Sequence, residues 1–242
     1  MPDVWAGGMA DIDKISRKRE LITPRCYDLP FKIIEKVRSN MNINECLRII
    51  YESSDLYKKN LLGKNILLLY QQSPNNVKVM ETIFTETSYL HLTGICFTKG
   101  NEMSPADFFT SCIDRRLSVE SITVKADGTT EQKLEILPLL LTPNLSAKMI
   151  GKYRGGRIKL VTDRLAGGLT GSVGFIEDSG RYYPNTILKG DIRDNIEKPL
   201  RVLAVFRKNI ADDRYEECTY LAKKVDLKKL AIPEPYRYLS EM

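Results

Sequence analysis

The sequence predicts an α+β fold in which N-terminal helices are followed by a mainly antiparallel, twisted sheet. Two observations support this prediction. Apolar residues recur at helical spacing from Phe31 to Leu62, whereas the last third of the chain consists of short apolar runs separated by turn residues. Helices early and strands late in one chain are typical of α+β proteins, because α/β proteins alternate the two.

Capping residues mark the helices. We expect two helices before residue 62, the second capped by Asn42 or Asn44, with Gly63 following its end. A later helix is predicted over 104–118, because Ser104 is a good N-cap and Pro105 suits the first helical position.

Strands are predicted on both sides of that helix. The earlier ones lie at 65–73 and 77–89. The later ones lie at 156–163, 169–178, 200–208 and 215–224, and a bent, extended segment lies at 181–191.

These elements predict one main domain. We expect a poorly ordered segment at 1–24, a helical extension at 25–62 and an α+β domain at 63–230. The longest apolar runs, 66–70 and 134–141, are far shorter than the 20 or so residues that a membrane span needs. The N-terminus does not read as a secretion signal, and five scattered cysteines suit a reducing setting, so we predict a cytoplasmic protein with no membrane partner.

The charge distribution is more informative than the net charge. The chain carries 37 Lys and Arg against 31 Asp and Glu, a net charge of +6. Six cations but one anion lie between Lys148 and Arg164; the cations are Lys148, Lys152, Arg154, Arg157, Lys159 and Arg164. This run is either a solvated surface or a face that binds phosphate groups.

Several classes of site are not expected. The five cysteines include no C-x-x-C pair, and the chain has one histidine, so we predict neither a thiolate zinc site nor a histidine metal centre. The sequence also contains neither a Walker loop nor the G-x-S-x-G elbow of serine hydrolases. We therefore expect no metal and no cofactor.

That single histidine, His91, lies between two leucines and is predicted at or just beyond a strand end. In a strand its imidazole would point away from both leucines, and Thr93 would share its face. It is either a core residue with a hydrogen bond or a catalytic acid or base, since imidazole titrates near neutral pH. Gly94 would let a ligand or backbone approach closely.

A glycine-rich stretch covers residues 163–175. Its glycines allow either a hairpin with a closely packed strand or a strand whose hydroxyls and amides line a phosphate site. In the second case the side chains of Thr170 and Ser172, two positions apart in a strand, would lie on the same face.

Several motifs occur together in a characteristic order: "YLHLTGI", "SPADFF", "GTTEQKLEIL", "TDRLAGG", "GSVGFI" and "YYPNTILKGDIR". Over roughly residues 60–225 the chain thereby resembles the phage-associated barnase–EndoU–colicin–RelE-like nucleases, in their fourth branch. The resemblance implies one or two helices before an antiparallel sheet of four strands. It also implies metal-independent cleavage of RNA, although active-site residues vary between branches of this superfamily.

The implied reaction needs a base, an acid and groups that hold the charged phosphate. The catalytic candidates are His91, Lys159, Ser172 and Thr170. The candidates for substrate binding are Thr93, Tyr153, Arg154, Arg157, Tyr183, Asn185 and Thr186, with Tyr182 as an alternative to Tyr183 for stacking on a base.

Three functions remain open at this point. The first is a toxin-like or phage-derived ribonuclease, with RNA (tRNA being one candidate) as substrate and an inhibitor or immunity protein as a further partner. The second is a catalytically inactive module of phage origin that binds nucleic acid or protein and modulates host machinery. The third is a metal-dependent nuclease with carboxylates such as Asp163, Asp191 and Asp194, which no paired-carboxylate motif supports.

Overall fold

A computed structural model describes residues 41–155 and 160–242, and the predicted segment 1–24 and the first predicted helix lie outside these ranges. The four α-helices in the described part are α1 (Ile43–Asn60), α2 (Glu86–Thr93), α3 (Pro105–Ile113) and α4 (Thr129–Leu140). Three short 3-10 helices cover Ile192–Asp194, Leu227–Lys229 and Glu234–Glu241.

Most strands follow the helices, as the sequence predicts. The early strands are β1 (Lys64–Ser73), β2 (Asn76–Ile83), β3 (Cys96–Phe97) and β4 (Ile122–Thr123). The late strands are β5 (Met149–Lys152), β6 (Arg164–Gly167), β7 (Gly171–Asp178), β8 (Arg181–Lys189), β9 (Leu200–Asn209) and β10 (Glu217–Leu221). The prediction of an α+β fold with a mainly antiparallel sheet is confirmed.

The large sheet has the strand order β1-β2-β8-β7-β6-β5-β9-β10. Its pairs are antiparallel except for β2 and β8, which meet in parallel where Thr82 is the partner of Tyr182. Strand β1 also pairs with β9, and this pairing closes seven of the strands into a ring to which β10 adds at β9.

Helices α1 to α4 share one core with the sheet. Helix α1 contributes Cys46, Ile50 and Tyr57, which are fully buried in the same cluster as Leu68 of β1 and Phe175 of β7. The opposite face of β1 and β9 is covered by the C-terminal segment; the buried residues of that segment are Leu227, Ile232 and Leu239. Both faces of this part of the sheet are therefore buried.

The predicted helix starts agree with the structure. The Asn42 side chain accepts a hydrogen bond from the backbone N–H of Glu45 at 2.9 Å, and that of Ser104 accepts one from Asp107 at 3.1 Å. These contacts satisfy N–H groups that have no partner within the helix.

The predicted strand at 77–89 is wrong in its second half, because β2 ends at Ile83 and helix α2 begins at Glu86. Helix α2 is buried on several sides, with Tyr89, Leu90 and Leu92 all in the core. Burial all round removes the one-sided apolar pattern that identifies a helix, so this short run resembles a strand in the sequence.

The predicted strand at 156–163 is displaced. Residues 156–159 lie outside the described part of the chain, residues 160–163 are not in a strand, and β6 begins at Arg164. Strand β6 then forms the predicted glycine-rich hairpin with β7.

Candidate active site

His91 lies in the last turn of helix α2, so its prediction as a strand-end residue is wrong. The residue is half-buried, and its backbone carbonyl accepts a hydrogen bond from Lys133 Nζ of α4 at 2.8 Å. The predicted common face with Thr93 is also wrong, because residues two apart in a helix point in nearly opposite directions. Whether the imidazole is catalytic stays a prediction.

Thr93 completes the end of the helix. Its side chain is fully buried, and Oγ1 donates to the carbonyl of Leu90 at 2.8 Å and accepts from the N–H of Ile95 at 3.3 Å. These bonds use the hydroxyl to satisfy backbone groups where α2 stops.

Lys133 of α4 contacts the end of α2 through its hydrogen bond to the carbonyl of His91. The pKa of Lys133 is lowered from 10.5 to about 7, chiefly by burial and also by the positive charge of Lys125, while Asp127 opposes the shift. The alkyl part of Lys133 crosses Gly94, which has a φ of +70° and follows α2. A Cβ at Gly94 would lie 2.7 Å from Lys133 Cδ.

Replacing Gly94 with alanine is therefore expected to lower the free energy of unfolding by about 1–3 kcal/mol, because a left-handed backbone and a displaced Lys133 both cost energy. Chemical denaturation measures the loss. Gly100→Ala is the matched control, since Gly100 has a φ of +85° but nothing within 4 Å of its Cβ position. Equal losses in the two variants would show that the Lys133 side chain is not displaced.

The two hydroxyls of the glycine-rich hairpin lie in different environments. Ser172 is 1% exposed, and its Oγ is buried with no hydrogen-bond partner in the described structure. A Cβ on the facing Gly167 would lie 2.7 Å from Ser172 Cβ, so the strands pack closely here. Thr170 lies exposed in the turn before β7. The hairpin interpretation is confirmed, and the catalytic roles of both hydroxyls stay predictions.

Tyr153 and Arg154 face the segment after the 3-10 helix at 192–194. Tyr153 pairs with Ile196 in an isolated bridge. The Arg154 guanidinium donates two hydrogen bonds, of 2.7 and 3.2 Å, to the backbone carbonyl of Ile196. These two donors therefore bind the backbone of the protein. The substrate-binding candidate Arg157 and the catalytic candidate Lys159 lie outside the described residues.

Three of the candidates in β8 are largely buried. Tyr182 is 9% exposed, Tyr183 is 8% exposed and Thr186 is 4% exposed, whereas Asn185 is half-buried. Asn185 occupies a β-bulge, where its Oδ1 accepts from the hydroxyl of Thr162 at 3.2 Å and its Nδ2 donates to the carbonyl of Val161. This amide therefore anchors the segment that leads into β6.

A chain of polar side chains crosses β6, β7 and β8. Arg164 Nε donates to the Tyr182 hydroxyl at 3.0 Å, and that hydroxyl donates to Glu177 Oε2 at 2.7 Å. The Arg164 guanidinium also lies 5.9 Å from the ring centre of Tyr70 in β1. We call these four residues, Tyr70, Arg164, Glu177 and Tyr182, the Arg164 cluster.

The Arg164 cluster lies on the inner face of the strand ring. Tyr70 belongs to β1, and β1 is not a neighbour of β6 in the sheet, so the side chain of Arg164 must cross the ring to reach it. Arg164 is half-buried, whereas Glu177 is exposed to solvent. A ligand that reaches Glu177 thus meets a partly desolvated cation directly behind it.

The electrostatics of the cluster favour acid–base chemistry. Burial raises the pKa of the Tyr182 phenol, the hydrogen bond to Glu177 raises it further, and the bond from Arg164 opposes the shift. The phenol is therefore a proton donor at neutral pH. Arg164 donates to this neutral hydroxyl rather than to a carboxylate, which leaves its positive charge available for an anion.

The sequence alone does not predict this site. In the sequence Arg164 is one of six cations and Tyr182 a candidate for stacking on a base, whereas Glu177 and Tyr70 belong to no predicted site. The three polar residues are 13 and 5 positions apart in sequence, and the β7–β8 register makes Glu177 the direct partner of Tyr182. Polar residues at the ends of predicted strands are the signal that could have indicated it.

The part of the chain that the structure describes contains no candidate metal site and no candidate membrane span. No group of three or more His, Cys, Asp or Glu residues in 41–155 and 160–242 could hold a metal ion. None of the described helices is long and apolar enough to cross a membrane.

Most of the described fold matches a known family of proteins. The model of the family described as phage-barnase–EndoU–colicin E5/D–RelE-like nuclease 4 matches residues 49–224, a range that includes the entire Arg164 cluster and His91. No curated protein and no solved structure matches the chain. The match covers well over half of the chain, which therefore belongs to the phage-barnase–EndoU–colicin E5/D–RelE-like nuclease family 4.

Proposed function

We propose that this protein cleaves RNA at the Arg164 cluster, by attack of the 2′-hydroxyl on the neighbouring phosphate. The hydrogen-bonded chain from Arg164 through Tyr182 to Glu177 is the observation that supports this proposal. It joins a cation, a phenol and a solvent-exposed carboxylate within the region matched by a nuclease family. These are the groups that transesterification of RNA requires.

Each group has a role in the first half of the reaction. Glu177 accepts the proton of the 2′-hydroxyl, and the 2′-oxygen forms a bond to phosphorus. The Arg164 guanidinium holds the non-bridging oxygens, whose negative charge increases in the transition state. The bond from phosphorus to the 5′-oxygen breaks, which leaves a 2′,3′-cyclic phosphate.

Tyr182 completes the proton transfer. Its hydroxyl donates a proton to the departing 5′-oxygen, and the phenolate that forms is stabilised by Arg164 Nε at 3.0 Å. Glu177 then returns the proton from the 2′-hydroxyl to Tyr182 along their existing 2.7 Å hydrogen bond. The cluster ends in its starting protonation state, and these steps use no metal ion.

We further propose that the activity is toxin-like and of phage origin, that it acts on cytoplasmic RNA with tRNA as one candidate, and that an inhibitor protein controls it. Membership of a phage-type nuclease family supports this biological setting. The net charge of +6 is compatible with an anionic substrate.

The test uses RNA oligonucleotides that carry one 2′-deoxy substitution at an observed cleavage position, with excess EDTA present. We expect the substituted linkage to resist cleavage, and the products from unsubstituted RNA to end in a cyclic phosphate. Cleavage of the deoxy linkage, or loss of activity in EDTA, would contradict this mechanism. RNA binding with no cleavage of any cellular RNA would instead favour the catalytically inactive binding module.

His91 enters the same experiment as a separate variant. His91→Ala is compared with wild-type protein on the unsubstituted RNA, because its catalytic role stays a prediction. Loss of cleavage with an unchanged melting temperature would support that role, and an unchanged rate would refute it.

A further inference from the structure

Next to Arg164, strand β5 carries a second cation on the same side of the sheet. Lys152 is the direct cross-strand partner of Arg164 in the antiparallel pair β5–β6. Side chains that face each other across such a pair lie on one face, with Cβ atoms about 5 Å apart. Ile150 of β5 and Ala166 of β6 belong to the main core and fix this face as the one that carries the Arg164 cluster.

The ammonium of Lys152 is accessible. Its side chain is 70% exposed, and its ion pair with Glu197 has a long Nζ–Oε1 distance of 3.4 Å to a carboxylate that is itself 50% exposed. Exposed pairs of this kind contribute between about 0 and 1 kcal/mol. A phosphate group can therefore displace Glu197 from Lys152 at little cost.

We propose that Lys152 forms a second phosphate subsite, which binds the phosphate group next to the scissile one while Arg164 holds the scissile phosphate. This inference rests on the proposed function for the identity of the scissile subsite. Because the two residues are direct cross-strand partners, with Cβ atoms about 5 Å apart, their side chains can reach neighbouring phosphates of one RNA strand. Glu197 competes with the substrate for Lys152, so it tunes the affinity of the subsite.

Fluorescence anisotropy with non-cleavable 2′-O-methyl RNA tests the subsite without reliance on catalysis. For a hexanucleotide, Lys152→Gln is expected to weaken binding on the order of threefold to tenfold and to lower the slope of log K against log salt by about 0.7. Glu197→Gln is expected to tighten binding by about twofold to fivefold, because it releases Lys152. Both variants should bind a dinucleotide, which has a single phosphate, with the same affinity as wild type.

The matched control is Lys229→Gln. Lys229 forms a similar exposed ion pair, 3.5 Å from Asp226, in the C-terminal segment beyond the family match. If Lys152→Gln and Lys229→Gln change hexanucleotide affinity equally, Lys152 is only a solvated cation and the inference is wrong. Equal weakening of the dinucleotide and the hexanucleotide would also refute a separate subsite.

The two proposals fail in different ways. If wild-type protein binds the hexanucleotide with the expected Lys152 dependence but does not cleave RNA, Lys152 is a phosphate subsite of a binding protein and the ribonuclease proposal fails. If RNA is cleaved but the Lys152 and Lys229 variants behave alike, the ribonuclease proposal holds and the subsite fails.

Discussion

Replacement of Glu177 with glutamine is expected to lower the rate of RNA cleavage by about 10²–10⁴-fold, the usual contribution of a general base. Glutamine has nearly the same shape as glutamate and can still accept the hydrogen bond from the Tyr182 hydroxyl, so the cluster should keep its geometry. The change removes the basicity that the 2′-hydroxyl requires. Single-turnover cleavage of labelled RNA measures the rate without interference from product release.

RNA binding by the same variant separates catalysis from affinity. Loss of a negative charge near the phosphate should leave the affinity unchanged or increase it, so the defect should lie in the rate of the bound complex. Glu135→Gln is the matched control, because Glu135 of helix α4 is 56% exposed and paired with Lys189, at the opposite end of β8 from Tyr182. Its cleavage rate should equal that of wild type.

A Glu177→Gln variant with full activity would remove the base from the proposed mechanism. The Arg164 cluster would then be an anion-binding site only, and the catalytic group would have to be sought elsewhere in the matched region. His91→Ala, in the same assay, would show whether the histidine of α2 supplies it.

The sequence predicts the architecture well because its local signals are strong. Asn42 and Ser104 cap helices where expected, and the late strands form an antiparallel sheet around the glycine-rich hairpin. Each of these features depends on neighbouring residues alone: a capping side chain, a turn residue or an alternation of apolar positions.

Helix α2 shows where local signals fail. The segment that contains His91 packs on several sides, and its secondary structure depends on contacts with other elements, such as the hydrogen bond from Tyr89 of this helix to the carbonyl of Ile50 in α1. No pattern within eight residues encodes such a contact. The position and surroundings of His91 therefore could not be predicted from the local sequence and follow only from the tertiary structure.

The Arg164 cluster was beyond sequence reasoning for a different reason. The contact between Arg164 and Tyr70 depends on closure of the strand ring through the β1–β9 pairing, and the contact between Glu177 and Tyr182 depends on one register in β7–β8. A shift of one residue in that register would move Glu177 to the other face. Composition and spacing carry no information about either pairing.

Lys133 is expected to destabilise the folded protein near neutral pH. Its pKa falls from 10.5 to about 7 on folding, chiefly through burial, and each pKa unit is equivalent to about 1.4 kcal/mol. Between pH 7 and 10.5 the unfolded chain binds more protons at this group than the folded protein does, so stability should rise with pH across this range. Below about pH 7 the full penalty of several kcal/mol applies, because the ammonium is charged in both states.

Lys133→Met should therefore stabilise the protein, most strongly at pH 6 and least near pH 10. The variant also loses the hydrogen bond to the carbonyl of His91, which lowers the gain in stability by about 1 kcal/mol. We therefore expect the free energy of unfolding to rise by about 1–4 kcal/mol at pH 6. Urea unfolding of wild type and Lys133→Met at several pH values measures the difference in their free energies of unfolding. The contributions of the other titrating groups are common to both proteins and cancel in this difference. Lys99→Met, at an exposed position, is the control for removal of one lysine charge. A Lys133→Met protein that is less stable at every pH would instead assign Lys133 a stabilising role as a charged group at the C-terminus of helix α2, where the helix dipole favours cations.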